Sequence, residues 1–358
     1  MQLLQFQYMG SGWNLNPIQF QPVNLLVGKN AVGKSRLIKG LSNAVQYILQ
    51  STDNNNDSSF DAAFVFLSGD EHIIYHFSYI NGKVAQEKLL RQIHPEHNDA
   101  LLQRDGEGTF LHGEPINPPE DKLVLHVRRD TVQYPYFEKI VSWAESVCGQ
   151  RFNEMDYAGD YGICSSYSKF DSNLYEIVKS LPDDAMTRII QQANDLDYPL
   201  QSIVPQEYDD NFKVVYFNER DIQDSLMYFR LSKGMFRTLY LLIYMEYLAI
   251  NKKPSMLLVD DLCEGLDYDR STRLGRIVFD FCLRHNIQLI ASSNDSFLMD
   301  VVDLKYWNIL RRKGNEVESI NHLNHPELFD DFGFTGLSNF DLFSSDYIAR
   351  HLNDKVDE

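Results

Sequence analysis

The chain has 358 residues, 44% hydrophobic and 23% charged, with a formal net charge of −18. That length holds one large domain or two lobes, and the composition is that of an ordinary soluble globular protein. The acidic balance argues against nonspecific coating of nucleic acid, which needs a basic surface to neutralise phosphate, and favours a basic protein partner or a neutralised effector.

In chain order, residues 3–6 and 18–20 read as strands and residues 23–27 as a short buried strand. The octet Gly28-Lys29-Asn30-Ala31-Val32-Gly33-Lys34-Ser35 follows, matching G-x-x-x-x-G-K-[ST] at every required position. Residues 35–44 then open a helix, with Leu37, Ile38 and Leu41 at helical spacing, that continues to residue 50. A strand, a glycine-bearing loop and a helix N-terminus make an anion site, because backbone N–H groups point inward and the helix dipole favours negative charge. The octet therefore predicts binding of a nucleoside triphosphate. Gly28 and Gly33 permit the tight backbone path, Lys34 reaches the β- and γ-phosphates, and the Ser35 hydroxyl sits on Mg²⁺. Asn30 and Arg36 are further candidate nucleotide contacts.

Residues 51–59 (STDNNNDSS) form a polar loop. Strands are predicted at 63–67, 72–79, 109–112 and 123–127, with Asn81-Gly82 as a hairpin turn. Residues 137–147, 174–181 and 184–196 read as helices. Together these divide the chain into an N-terminal lobe (1–134), a helical insertion (135–205), a C-terminal lobe (206–320) and a tail (321–358).

In the C-terminal lobe, Leu231-Ser232-Lys233-Gly234 precedes a long apolar helix over 235–250. Taken alone, Ser-x-Gly before a helix is also a common cap. Residues 255–259 are an apolar run ending in Asp260, the form of a Walker B strand that delivers a carboxylate to the metal, and Asp261 follows where a water-orienting carboxylate is placed. Glu264-Gly265-Leu266-Asp267 comes next, and a second apolar strand over 287–291 leads into Ser292-Ser293-Asn294-Asp295.

The order P-loop, Leu-Ser-Lys-Gly, Walker B resembles that of ABC-class ATPase heads, and the N-terminal pattern is especially similar to the SMC, RecF and OLD-type branch. The likeness covers residues 1–50 and 210–312 well and the middle poorly. It implies an α/β fold with a mostly parallel P-loop core sheet, an antiparallel side sheet and a helical insertion. It implies ATP and Mg²⁺ as cofactors and a head-to-tail homodimer, in which Lys34, Ser35 and Asp260 of one subunit act with Ser232 and Gly234 of the other. Residues 264–267 would be the D-loop that touches the partner. Asn294 stands where the family has histidine, as a further candidate nucleotide contact, and Asp261 where it has glutamate. An aspartate is one methylene shorter and reaches the attacking water less well, so slow ATP hydrolysis is expected, with Glu264 as a substitute base. Gln133 is a candidate for the family's Q-loop. The middle segment lacks the length and heptads of an SMC arm, and too few residues follow Leu310 for the nuclease domain of OLD-type proteins.

Arg128-Arg129 and Arg311-Arg312-Lys313 are basic clusters that read as solvated loops. Asp330, Asp331, Asp341 and Asp346 lie among Phe329, Phe332, Phe334, Phe340 and Phe343, and read as a tail packing aromatics with its acids outward rather than as a metal loop. Cys148, Cys164, Cys263 and Cys282 show no metal or disulfide spacing, which fits reduced thiols of a cytoplasmic protein. Neither a signal peptide nor a membrane span is expected. The resulting expectation is an ATP-driven switch that regulates a separate effector protein, as in bacterial anti-phage defence. The alternative is a RecF- or SMC-like clamp in DNA maintenance, which the charge disfavours.

Overall fold

The computed structural model describes residues 1–50, 59–94, 97–151, 170–209, 212–251, 255–345 and 347–352. The expectations at Cys164, Asp346 and most of the 51–59 loop lie outside them. In chain order the elements are β1 (Gln2–Gly10), β2 (Trp13–Gln19), β3 (Val23–Val27), α1 (Lys34–Ile48), β4 (Phe60–Ser68), β5 (Glu71–Ile80), β6 (Lys83–His94), β7 (His97–Asp105), β8 (Gly108–Leu111), β9 (Glu114–Pro115), α2 (Val124–Val127), α3 (Pro135–Glu145) and β10 (Val147–Arg151). They continue with α4 (Phe170–Ser180), α5 (Asp183–Asp195), β11 (Leu200–Asp209), β12 (Phe212–Glu219), β13 (Leu226–Met227), α6 (Lys233–Ile250), β14 (Ser255–Asp260), α7 (Tyr268–His285), β15 (Ile287–Ser292), α8 (Ser296–Val301), β16 (Trp307–Lys313), β17 (Glu316–Asn321), α9 (Pro326–Gly333), α10 (Asn339–Ser344) and α11 (Tyr347–His351). The chain divides into two compact units, one of residues 1–147 with 305–331 and one of residues 148–304 with 332–358.

In the first unit the strand order is β3-β16-β17-β2-β1-β4-β5-β6-β7-β8-β9. β16 runs parallel to β3 and β17 parallel to β2, while the strands from β2 outward pair antiparallel. The alternating pattern of β4 turns Phe60, Phe64 and Phe66 inward, and Trp143 of α3 meets Phe64 and Phe66 edge-on. Each such buried ring contributes roughly 1.5–3 kcal/mol over its exposed state. The Asn81-Gly82 turn joins β5 to β6 with φ of 52° and 75°, the paired positive φ of a tight hairpin.

A ladder of buried amides fixes the register of the P-loop strand. Asn308 Nδ2 donates to Asn24 Oδ1 (3.2 Å), and Asn308 Oδ1 accepts from Ser319 Oγ (2.9 Å) and Asn321 Nδ2 (2.8 Å). These side chains tie β3, β16 and β17 together, and a connected polar network of this kind tolerates only one alignment.

Residues 123–127, expected as a strand, instead hold the short helix α2. The cause is Glu87, a fully buried carboxylate on β6. It accepts the Val124 N–H at 2.7 Å and the Tyr75 hydroxyl at 2.9 Å. Arg104 beside it donates to the carbonyls of Lys122 and Pro119. Together these groups capture the backbone of residues 119–124 that a strand would have paired.

In the second unit β14 and β15 are parallel and buried along their whole length, linked by α7. Strands β11, β12 and β13 form a separate antiparallel sheet covered by α4. The helices expected at 174–181 and 184–196 are α4 and α5, while the one expected at 137–147 is α3 of the first unit. Arg188 of α5 grips the buried Glu246 of α6 through two hydrogen bonds of 2.9 and 2.8 Å. At the end of this unit, Asn339 Nδ2 donates to the Val302 carbonyl at 2.9 Å and Phe332 packs edge-on against Tyr347. Asp330 and Asp331 are exposed beside buried Phe329 and Phe332, and Phe334 is 90% exposed. The α/β expectation holds, with parallel core pairs, a broad antiparallel side sheet and helices.

Candidate functional site

The phosphate loop belongs to the first unit. All five residues of β3 are buried, so the strand ends abruptly where the loop opens to solvent at Lys29, Asn30 and Ala31. Close packing sets the loop's glycines. A Cβ on Gly28 would lie 2.9 Å from the Leu310 carbonyl oxygen, and one on Gly33, whose φ is 119°, would press on Val317 at 3.3 Å. Gly33 is also the N-cap of α1, which has no side-chain cap and no acidic residue in its first turn. A helix start without either leaves its amide dipole to an external anion. Lys34 is 6% exposed, and its ammonium donates to the Gly28 carbonyl at 2.6 Å and the Lys29 carbonyl at 3.4 Å. Ser35 and Arg36 sit exposed on the same first turn.

The second unit holds the acidic turn. Asp260 and Asp261 are each 9% exposed. Ser292, at the end of the neighbouring strand, donates its hydroxyl to Asp260 Oδ1 at 2.5 Å and accepts the Asp261 N–H at 2.9 Å. One hydroxyl thereby fixes both carboxylate-bearing residues, a role not anticipated from the sequence, where the Ser-Ser pair after the apolar strand was the available signal. Ser293 Oγ donates to the Leu262 carbonyl at 2.8 Å and so secures the same turn. Asp261 has φ of 56°, a left-handed backbone. Aspartate and asparagine enter that region several times more readily than other non-glycine residues, which gives a backbone reason for aspartate here in place of a longer acid. Cys263, at φ 68°, is buried, and its thiol is pushed up to about 12 by desolvation.

Ser232 caps α6, its Oγ accepting the Met235 N–H at 3.3 Å, so the cap reading of this motif describes its contact within the chain. Gly234 packs closely on its neighbour, since a Cβ there would lie 3.0 Å from Leu266 Cδ2. Arg237, one turn further on, reaches the carbonyl and carboxylate of Glu264, both at 3.4 Å. Gly234, Arg237, Thr238, Asp261, Cys263 and Glu264 line a small, part-open crevice. The second unit thus brings Ser232 and Gly234 together with the turn carrying Asp261 and Glu264. Asn294 lies exposed in the turn between β15 and α8.

The remaining candidates are less engaged. Gln133 lies exposed in a turn organised by Asp130, whose carboxylate accepts its backbone N–H. Arg129 pairs with Glu138 at 2.6 Å, and Arg311 and Lys313 both face Glu318. Among the described residues, no group of three or more His, Cys, Asp and Glu side chains could hold a metal, and no helix is long and apolar enough to cross a membrane.

No family model and no curated protein matches the chain. Among solved structures it is similar to an Smc head bound to the C-winged helix domain of ScpA, with a TM-score of 0.51 at 10% identity, covering 91% of this chain and 100% of that one. It is also similar to an Smc head domain with an extended coiled coil, bound to the C-terminal domain of ScpA, derived from Pyrococcus furiosus, with a TM-score of 0.50 at 9% identity and coverage of 92% and 99%. CbiO1 from Clostridium perfringens, part of the ABC transporter complex CbiONQ, aligns at a TM-score of 0.38 and 12% identity over 99% of this chain and 95% of that chain. At these identities the likeness concerns architecture, and the chain has the mixed α/β fold of an Smc-type ATPase head.

Proposed function

We propose that the protein is an ATP-binding, slowly hydrolysing switch that dimerises on ATP and regulates a separate effector protein. The observation that carries this reading is the phosphate loop. Its buried ammonium donates to the Gly28 and Lys29 carbonyls at 2.6 and 3.4 Å, at a helix start with no side-chain cap. Anionic phosphate oxygens attract an ammonium more strongly than neutral carbonyls do, so the same Lys34 head can turn to a bound triphosphate.

Mg²⁺ fits the proposed donors, since the Ser35 hydroxyl and Asp260 carboxylate are hard oxygen ligands and this ion takes few protein ligands beside substrate phosphates. When bound, it would neutralise charge on the phosphates. The chain's own residues have the following proposed parts. Lys34 and the α1 amides bind and orient the triphosphate, helped by Asn30 and Arg36. Ser292 holds the Asp260 carboxylate aimed. Asp261 accepts a proton from the attacking water, with its short side chain and left-handed backbone limiting the rate. Ser232 and Gly234 of a second copy close over the γ-phosphate, and Asn294 lies beside it. Glu264, engaged by Arg237, belongs to the dimer contact rather than to proton transfer. ATP favours the closed dimer to the extent that it binds that state more tightly.

A regulatory role is supported by the acidic chain, with its net charge of −18, and by the likeness to Smc heads that are bound to a ScpA domain. We place the switch in bacterial anti-phage defence on the resemblance to small stand-alone heads. The test is a pull-down from the native host with Asp261→Asn, expected to stay closed with ATP, beside Lys34→Ala, expected to bind nucleotide poorly. A stoichiometric protein that follows the nucleotide state supports the reading. Recovery of nucleic acid alone, enriched on Asp261→Asn, replaces it with a DNA clamp.

A further inference from the structure

The phosphate loop contains a left-handed residue that is not glycine. Ala31 has φ of 64°, a conformation disfavoured for an L-residue by roughly five- to thirtyfold. An isolated loop would therefore spend most of its time elsewhere, and something outside it must hold Ala31 in place.

The β16–β17 hairpin is positioned to do so. Ile309 of β16 lies opposite Val27 of β3 in the parallel ladder. Leu310 and Val317 of the hairpin crowd Gly28 and Gly33 at the two ends of the loop. From the hairpin tip, Arg312 spans two carbonyls. Its Nε donates to Gly314 at 2.7 Å, within the hairpin's own turn, and its Nη1 donates to Ala31 at 3.3 Å. The guanidinium fork makes both bonds at once from one rigid plane, which the single ammonium of a lysine does not reproduce. Arg311 and Lys313, its neighbours, are directed instead at Glu318, so Arg312 is the member of the basic run that serves the loop.

We propose that Arg312 is a positioning residue for the phosphate cradle. By holding the Ala31 carbonyl it keeps the loop in its nucleotide-ready conformation before ATP arrives, and it sets ATP affinity through the fraction of molecules in that conformation. This rests on the reading that the loop binds a nucleoside triphosphate.

The test is the affinity of the full chain for MgATP, by calorimetry, in the wild type and in Lys34→Ala, Arg312→Gln, Arg312→Lys, Ala31→Gly and Ala31→Gly/Arg312→Gln. Arg312→Gln is expected to weaken binding about fivefold or more, and Arg312→Lys to weaken it as well. Glycine enters the left-handed region freely, so the double variant is expected to return to within about twofold of the wild type. Melting temperatures should be unchanged, because Arg312 is exposed. The proposal is overturned if Arg312→Gln binds like the wild type, if Arg312→Lys restores full affinity, which would mean that charge alone matters, or if Ala31→Gly fails to rescue. Should the wild type itself bind no MgATP, the nucleotide reading falls and this proposal with it. Loss confined to Lys34→Ala would keep the first and discard the second.

Discussion

Ser292→Ala tests whether the acidic turn is organised as described. The substitution removes a hydroxyl that donates to Asp260 at 2.5 Å and accepts the Asp261 N–H at 2.9 Å. A hydrogen bond to a charged group is worth roughly 1.5–3 kcal/mol, and a buried donor left unpaired costs roughly 1–3 kcal/mol. Local relaxation recovers part of this, so a loss of about 3 kcal/mol is expected. At about 2–4 °C per kcal/mol for a unit of this size, the melting temperature should fall by about 6–12 °C. The assay is urea unfolding of the wild type, Ser292→Ala, Asp260→Asn and the double variant. In a double-mutant cycle, residues sharing a bond couple by about 0.5–3 kcal/mol. Ser292→Ala within about 0.5 kcal/mol of the wild type, with no coupling to Asp260→Asn, would refute the reasoning, since surface changes give effects of that size.

Three further outcomes are expected. Gly234→Ala places a methyl 3.0 Å from the flexible end of Leu266, so the fold should survive with a loss of about 1 kcal/mol while ATP-dependent association weakens. A variant with unaltered association would detach Gly234 from the dimer contact. Cys263 and Cys282 are buried, with thiols pushed up to about 12 by desolvation, and should resist iodoacetamide at pH 8 until the protein is unfolded. Rapid labelling of either in the folded chain, read by peptide mass spectrometry, contradicts that burial. Glu87 is raised to about 7 by burial. Its neutral form is favoured in the folded state, so its stabilising contribution is complete below the ordinary carboxylate range and is lost as pH rises through about 7. Relative to Glu87→Gln, the wild type should lose stability between pH 5 and pH 8 in urea titrations, and parallel pH profiles would remove the titration from Glu87.

Motifs whose geometry is local were legible in the sequence. The octet Gly28–Ser35 specifies its own strand, turn and helix start, and the runs that became β14, β15 and α6 carry continuous apolar signals. What stayed hidden depends on side chains from elsewhere. β6 is implied by the Asn81-Gly82 hairpin, but its bounds are not legible because the inward position between Val84 and Leu89 is Glu87, which breaks the apolar alternation. The same residue turned residues 123–127 from strand to helix. The Arg311-Arg312-Lys313 end of β16 reads as a solvated loop, and the inward polar positions of β16 and β17 are Asn308, Ser319 and Asn321, which find partners in one another, in Asn24 and in nearby backbone only once the strands are assembled. Within the candidate site the carboxylates were visible, but the groups that aim them, Ser292 and Arg237, have no motif of their own.

The central claim is that ATP closes a dimer. Light scattering after gel filtration, on the Asp261→Asn chain with and without MgATP, tests it most directly, with Lys34→Ala and Ser232→Arg as comparisons. The account predicts a monomer without nucleotide, a dimer with MgATP, and monomers for both comparison chains under either condition. A monomer throughout, or a dimer indifferent to nucleotide and to both substitutions, would contradict it.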